Sequence, residues 1–329
     1  MDIIKKVHHY LSSEMKEMNG IIVSSLTAEE ELIKAVGSHL SNSGGKRIRP
    51  LLTLLSAKAC GYESGQQAHK LAAAIEFIHM ATLLHDDVVD ESTMRRFLPT
   101  ANSIWGNKAS ILVGDFLFSQ SFKLMVSTKN IRALEILSNA CAIISEGEVS
   151  QLNKLEQKTM LSIDQYYDLI KAKTAELLAC ACEVGAIIAN KMGLAEGLRT
   201  FGMNFGIAFQ ISDDNIDYFS TSEKAGKNIG DDFFEGKVTL PLIILHSEMN
   251  NKDSEKLTFM LKSEKRKSED LQWVQNKMLE YKIPNLVGVH LKETRQKALK
   301  ALTSVEDKLS QSAVQHMTNL LEFAVERTY

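Results

Sequence analysis

Two copies of one acidic pattern, Asp-Asp-x-x-Asp, constrain this chain more than any other feature. The first is Asp86-Asp87-Val88-Val89-Asp90 and the second, 127 residues later, is Asp213-Asp214-Asn215-Ile216-Asp217. Each follows an apolar stretch, Phe77 to Leu84 and Gly206 to Ile211. Residues four apart share a helix face, so Asp86 and Asp90 are expected to project together, and Asp213 with Asp217. Three carboxylates at one end of an apolar helix repel one another and are costly to desolvate. Two such clusters make sense if they face each other across a cavity and share something strongly cationic. Hard oxygen ligands with few histidines nearby point to Mg²⁺, which bridges carboxylates to substrate phosphates.

The rest of the chain reads as helix. Only four prolines occur in 329 residues, Pro50, Pro99, Pro241 and Pro284, and long stretches are rich in Ala, Leu, Met, Glu and Lys. Apolar residues recur at three- and four-residue intervals in Leu71 to Val89, Ala109 to Val126, Ile131 to Leu152 and Ile163 to Met192. No series of short alternating strands appears. Breaks are expected at Ser43-Gly44-Gly45, Arg96-Phe97-Leu98-Pro99, Gly193 and the polar loop Thr221 to Lys237; Met249 to Asp270 reads as a solvated helix-loop surface. Nothing divides the chain, so residues 1–329 are expected to form a single all-α domain.

Composition narrows the partners. A net charge of −3 without a basic block argues against nucleic acid. Cys60, Cys141, Cys180 and Cys182 sit in apolar helical surroundings and read as buried reduced thiols. The Cys180-x-Cys182 spacing is poor for a metal. The N-terminus lacks the apolar core of a signal peptide, and no run approaches the roughly 18 apolar residues of a membrane span. A cytoplasmic location is expected.

A basic set surrounds the first acidic motif. Gly44-Gly45-Lys46-Arg47-Ile48-Arg49-Pro50 places three cations behind a flexible glycine pair, suited to an anion but unlike a nucleotide phosphate loop. Arg95-Arg96 follows Asp90, and His79 lies almost two helical turns before Asp86. Around the second motif stand Lys173-Thr174, Gln210, and Gly226-Lys227-Asn228-Ile229-Gly230-Asp231-Asp232 leading to Gly236-Lys237. Singly, an arginine pair is an ordinary solvated loop, and a histidine on an apolar helix is ordinary core. Crowded around acidic helices, they describe a site for a polyanion, with Lys227 and Lys237 on a lid. No serine or cysteine nucleophile has a neighbouring base. Cations around a bound diphosphate stabilise it as a leaving group. If the carbon attached to it is allylic, the C–O bond ionises and an apolar cavity shields the cation from water.

These blocks, with Leu84-His85-Asp86-Asp87-Val88-Val89-Asp90, Gly114-Asp115-Phe116-Leu117, Lys173-Thr174-Ala175 and Phe209-Gln210-Ile211-Ser212-Asp213-Asp214, resemble the trans-type polyprenyl diphosphate synthases. The likeness is strong from about residue 30 to 245 and looser in the C-terminal helices. Ile75-Glu76-Phe77-Ile78-His79 and Ile143-Ile144-Ser145-Glu146-Gly147-Glu148 are most similar to the octaprenyl-forming bacterial members, which make quinone side chains. The resemblance implies an isoprenoid-synthase-type helical bundle around a central cavity. It also implies condensation of isopentenyl diphosphate with an allylic diphosphate, such as farnesyl, to a long all-trans chain.

The same resemblance assigns roles. Asp86 and Asp90 would hold two Mg²⁺ on the allylic diphosphate and Asp213 a third, with Asp87, Asp214 and Asp217 in the ligand set. Arg95, Lys173, Thr174, Gln210, Lys227 and Lys237 would contact the allylic diphosphate; Lys173 and Lys227 are also expected to be catalytic. Lys46, Arg49, His79 and Arg96 would hold isopentenyl diphosphate. Two departures concern loop geometry: Phe97 replaces a usual Gly, and Ser212 a usual apolar residue. Ala81, the fifth residue before the first motif, would line a chain-length tunnel, with Met125 a candidate for its floor, although a Met there also fits plain core packing. A homodimer is expected, with peripheral membrane contact for product release an added implication. A shorter-chain geranylgeranyl synthase is an alternative. A terpene cyclase would lack the Gly-Gly-Lys-Arg-Ile-Arg segment, and a non-catalytic subunit of a heteromeric synthase would have lost acidic ligands.

Overall fold

The computed structural model describes residues 3–42, 44–219, 229–263 and 265–326. Helices follow one another as α1 (Ile3–Tyr10), α2 (Ser12–Ser25), α3 (Glu31–Asn42), α4 (Ile48–Ala59), α5 (Gln67–Val89), α6 (Ala101–Trp105), α7 (Asn107–Ser127), α8 (Ile131–Gln157), α9 (Ile163–Ile170), α10 (Glu176–Ile188) and α11 (Met192–Phe219). Shorter and peripheral helices continue at Asp231–Glu235, Leu240–Glu248, Asn251–Lys262, Ser268–Glu280, Ile283–Thr303 and Gln311–Glu326. The fold is all-α. Among the described residues the only sheet is a two-stranded hairpin, with Met94 paired to Pro99 and Arg95 to Leu98.

Local chemistry sets several boundaries. The Asn130 side chain accepts a hydrogen bond from the Ala133 N–H at the start of α8, and Ser162 forms a capping box with Gln165 at α9. The stretch expected to be helical from Ile163 to Met192 is interrupted by a π-helical turn at Lys171–Ala175 and ends at Ile188. The break before α11 falls at Asn190, whose φ is +57°; Gly193, expected to mark it, lies inside α11.

Every residue of α10 is buried, as expected of a helix apolar all round. Its two acids, Glu176 and Glu183, are both met by Arg199 of α11, at 2.7 and 2.9 Å. Close approach matters where α11 crosses the π turn: a Cβ on Gly206 would stand 2.5 Å from Ala175 Cα. A larger residue there would push the second acidic motif away from Lys173 and Thr174.

Two apolar clusters result. One joins α1, α2, α4, α5, α7, α8, α10, the first half of α11 and the helix Gln311–Glu326. The other joins α9, the second half of α11 and the helices between Leu240 and Thr303. All four cysteines are buried and unbridged, as expected. The expectation about membrane-length runs is corrected in one place. Among the described residues α7 is long and apolar enough to cross a membrane, but it buries Val113, Leu117 and Met125 in the first cluster.

Candidate active site

A cavity of about 930 Å³ opens between α5 and α11. From α5 it receives His79, Thr82, Leu83 and Asp86, with Asp90 from its C-cap; from α11, Phe209, Gln210, Asp213 and Asp214. The glycine-led segment adds Lys46 and Arg49, the hairpin adds Arg95 and Arg96, and the π turn adds Lys173 and Thr174. Lys237 closes one side. The structure therefore brings together most of the residues singled out in the sequence. Lys227 lies outside the described residues, as does the rest of Ser220 to Asn228.

Two aspartates are placed differently. The expectation that Asp217 projects with Asp213 is not met. Asp217 is buried outside the cavity lining, where its Oδ2 accepts the Asp232 N–H at 3.2 Å and its carbonyl accepts the Gly230 N–H. The carboxylate thus anchors the N-terminal turn of Asp231–Glu235, the end of a helix that favours an anion. Asp87 is also buried off the cavity lining, and its Oδ1 accepts from Arg95 Nε and Nη2 at 3.0 and 2.8 Å. That pair holds Arg95, which does line the cavity.

Charge divides the cavity into two regions. In the first, Arg47, Arg49, Arg95 and Arg96 act together on His79, whose pKa is driven well below the ordinary imidazole value by burial and then by these cations. The chief acid here, Glu76, is engaged by Arg47 at 2.7 Å. Burial, with added repulsion from Arg96, lowers the Arg49 guanidinium to about 10 against the pull of Glu76 and Asp213. The Arg49 Nε is buried with no hydrogen-bond partner among the described residues, an unmet donor facing a region rich in positive charge. Arg96 donates to the Gly44 carbonyl, and the Lys46 ammonium lies 4.8 Å over the Phe323 ring.

The second region is acidic. Asp86 is pushed up to about 7 by burial and by the nearby charges of Glu148 and Asp90, against the pull of Lys173 and Arg95. Asp214 is likewise pushed up to about 7, by burial and by Asp232 and Asp213, although hydrogen bonds from Tyr166 and Gln210 oppose this. The lysines here already have partners: Lys173 pairs with Glu148 at 2.6 Å, and Lys237 with Asp90 at 2.7 Å and Glu235 at 2.6 Å. Carboxylates held in this state gain from added positive charge, so the donor set fits a hard divalent cation. Among the described residues no three acidic, histidine or cysteine groups converge tightly enough to cage a metal alone. Mg²⁺ is a cation of this kind, taking one or two carboxylates and completing its shell with water and phosphate oxygens.

Sequence reading missed several contributors. Glu148, Glu76, Tyr166 and Asp232 all shape the charges above; three of them lie within the blocks that carry the resemblance, but none was given a role, because that depends on which helix faces which. The π turn carrying Lys173 and Thr174 is a recurrent functional-site device with no signature in residue spacing. Ser212 Oγ is buried with no partner among the described residues, a cost that the apolar residue usual at this position would not carry. Phe97 and Arg96 have φ of +65° and +52°, the conformation a two-residue hairpin turn demands and glycine adopts most readily. Ala81 and Met125 are fully buried in the first apolar cluster and are not among the cavity-lining residues. Ala81 lies about 140° around α5 from Asp86, so the open space runs along Thr82 and Leu83 instead.

Residues 30–278 match the sequence profile of the polyprenyl synthetase family. The chain belongs to that family. It is 44% identical over 241 residues to an octaprenyl diphosphate synthase of Escherichia coli, covering 73% of this chain and 74% of that one. It is 46% identical over 233 residues to an all-trans-nonaprenyl-diphosphate synthase (geranyl-diphosphate specific) of Rhodobacter capsulatus, covering 71% of each. A polyprenyl synthase from Caulobacter crescentus, solved with calcium and isoprenyl diphosphate, superposes with a TM-score of 0.93 at 38% identity. That match covers 99% of this chain and 98% of the other. The family carries prenyl transfer, and this chain is a transferase with its helical fold.

Proposed function

We propose that the chain, acting as one helical domain, condenses isopentenyl diphosphate with an allylic diphosphate, farnesyl in the first instance, to a long all-trans polyprenyl diphosphate. The observation that carries this reading is the pairing, in one cavity, of a basic region with an acidic one. The basic region can hold a diphosphate directly, through Lys46, Arg49, Arg96 and neutral His79. The acidic region can hold one only through added cations, which suits the diphosphate that leaves.

Mg²⁺ ions held by Asp86, Asp90 and Asp213, three in all, would supply the positive charge that stabilises the departing diphosphate. Lys173, Thr174, Gln210, Arg95 and Lys237 orient its oxygens, and we assign Lys227 to the same task. The allylic C–O bond breaks with its electron pair leaving on diphosphate. The isopentenyl double bond then attacks the allylic carbon, forming the new C–C bond. The proton lost from the resulting cation passes to the released diphosphate. Leu83, Leu178 and Phe209 exclude water from the cation.

The octaprenyl and nonaprenyl relatives support a long product; we place it at octaprenyl, for a quinone side chain. We also place the enzyme in the cytoplasm, consistent with its buried free thiols, and in a homodimer. Exposed Ile111, Leu112 and Val126 of α7 and Ile131, Ile143 and Val149 of α8 support pairing through that side. Turnover of labelled isopentenyl diphosphate tests the chemistry. It should cease in excess EDTA and fall by about 10²- to 10³-fold or more in Asp86→Ala and Asp213→Ala. Near-normal turnover in any of these conditions would overturn the reading.

A further inference from the structure

Tyr166 does not line the cavity, yet it is fully buried and its hydroxyl donates to Asp214 Oδ2 at 2.6 Å. The other oxygen of that carboxylate, Oδ1, accepts from Gln210 Nε2 at 2.7 Å. Gln210 in turn accepts from Thr174 Oγ1 at 2.8 Å through its Oε1. Both oxygens of Asp214 are therefore held, one from α9 and one from its own helix, and the chain of bonds ends at the π turn. A carboxylate oxygen can accept more than one bond, so each retains acceptor capacity for a further partner. Asp213 stands beside it, also on the cavity.

We propose that Tyr166 is a positioning residue that fixes the Asp214 carboxylate for the cation held by the second acidic motif. The inference rests on the reading that this motif binds Mg²⁺. Tyr166 stands off the cavity lining and its hydroxyl acts on the site through Asp214, where with Gln210 it selects one rotamer of the carboxylate. Outer-shell donors of this kind are worth about 10- to 100-fold in metal affinity when removed. The adjacent Tyr167 provides an internal control. It lies on the same helix, but its hydroxyl meets His290 Nδ1 at 3.0 Å, away from the acidic motifs.

The test compares full-length Tyr166→Phe, Tyr167→Phe and Asp214→Asn with the parent protein. Two quantities are measured: the Mg²⁺ concentration giving half-maximal turnover, and the rise in Tm produced by Mg²⁺ with inorganic diphosphate. Tyr166→Phe should raise the half-saturating Mg²⁺ about 10- to 100-fold and shrink the Mg²⁺-dependent rise in Tm. The KM for isopentenyl diphosphate should stay unchanged, and Tyr167→Phe should match the parent on both measures. If Asp214→Asn shifts the Mg²⁺ requirement but Tyr166→Phe only lowers the basal Tm, Tyr166 is structural and the inference is wrong. If Asp214→Asn leaves the Mg²⁺ requirement unchanged, the reading of Asp214 as part of the cation site fails instead, and the inference with it.

Discussion

Lys237 reaches Asp90 across 147 residues of chain, its Nζ 2.7 Å from Oδ2, and so joins the segment after the second acidic motif to the end of the first. Burial alone would lower the lysine pKa, but Asp90, Glu235 and Asp232 outweigh it and raise the value. Lys237 is therefore charged throughout the neutral range. A cation placed between two acidic side chains keeps them together and presents a donor to any anion that enters.

That contact predicts a division of substrate effects. Lys237→Met should raise the KM for the allylic diphosphate by about tenfold or more, the scale of one hydrogen bond to a charged group. Arg49→Met should do the same for isopentenyl diphosphate. Steady-state kinetics with each substrate varied in turn checks this. Equal rises in both constants for both variants would show that the two regions do not separate the substrates.

The hairpin turn makes a prediction about stability. Phe97 holds a left-handed φ of +65° and is 58% exposed, so it incurs backbone strain with little compensating burial. Phe97→Gly should stabilise the protein by up to about 1 kcal/mol, since the left-handed penalty for an L residue is roughly 1–2 kcal/mol and glycine returns part of it as chain entropy. A thermal melt should show a small rise in Tm. A fall would mean that the ring makes contacts worth more than the strain.

His79 links the site to pH. Its pKa is depressed in the folded state, first by burial and then by Arg49, Arg96, Arg95 and Arg47. The unfolded chain therefore binds this proton first as pH falls. The stability contributed here is fully present above the ordinary imidazole pKa of 6.5 and is lost as pH drops towards the folded value. The slope from one such group is at most about 1.4 kcal/mol per pH unit. Urea unfolding at pH 7.5 and 5.5, values bracketing about 6.5, should show a larger acid loss for the parent than for His79→Gln. Equal losses would mean that the ring is not held neutral.

Product length supplies a fourth test. Ala81 packs in the apolar core next to Thr82 and Leu83, which line the cavity, and we propose that a lengthening chain extends from the cavity into the core past this residue. Ala81→Phe should stop growth at about three or four units, while the first condensation survives at a stability cost of about 1–3 kcal/mol. An unchanged product distribution would show that the chain does not pass this residue.

The sequence made the helices legible because their apolar periodicity is long and uninterrupted; α5, α7 and α8 contain the stretches expected of them. Most cavity residues were legible for a different reason: charged residues beside apolar helices have few other uses. Helix periodicity failed for Asp217, since the Asp232 N–H at the start of Asp231–Glu235 lies within its reach and takes the side chain instead. For Asp87 it was the ligand set implied by the resemblance that did not hold, because the hairpin brings Arg95 onto its carboxylate. Both outcomes depend on loop paths, which residue spacing does not encode. The Lys237–Asp90 contact and the Thr174–Gln210–Asp214–Tyr166 chain depend on how helices far apart in sequence meet, so only the fold could reveal them.

The central claim is chain elongation by repeated condensation in the cavity between the two acidic motifs. Its most direct test is incubation of the purified protein with farnesyl diphosphate, labelled isopentenyl diphosphate and Mg²⁺, followed by sizing of the products. The account predicts an all-trans polyprenyl diphosphate of about eight isoprene units, the length named for the octaprenyl relative. A cyclic hydrocarbon free of diphosphate, a product that stops at geranylgeranyl, or no incorporation of label at all would contradict it.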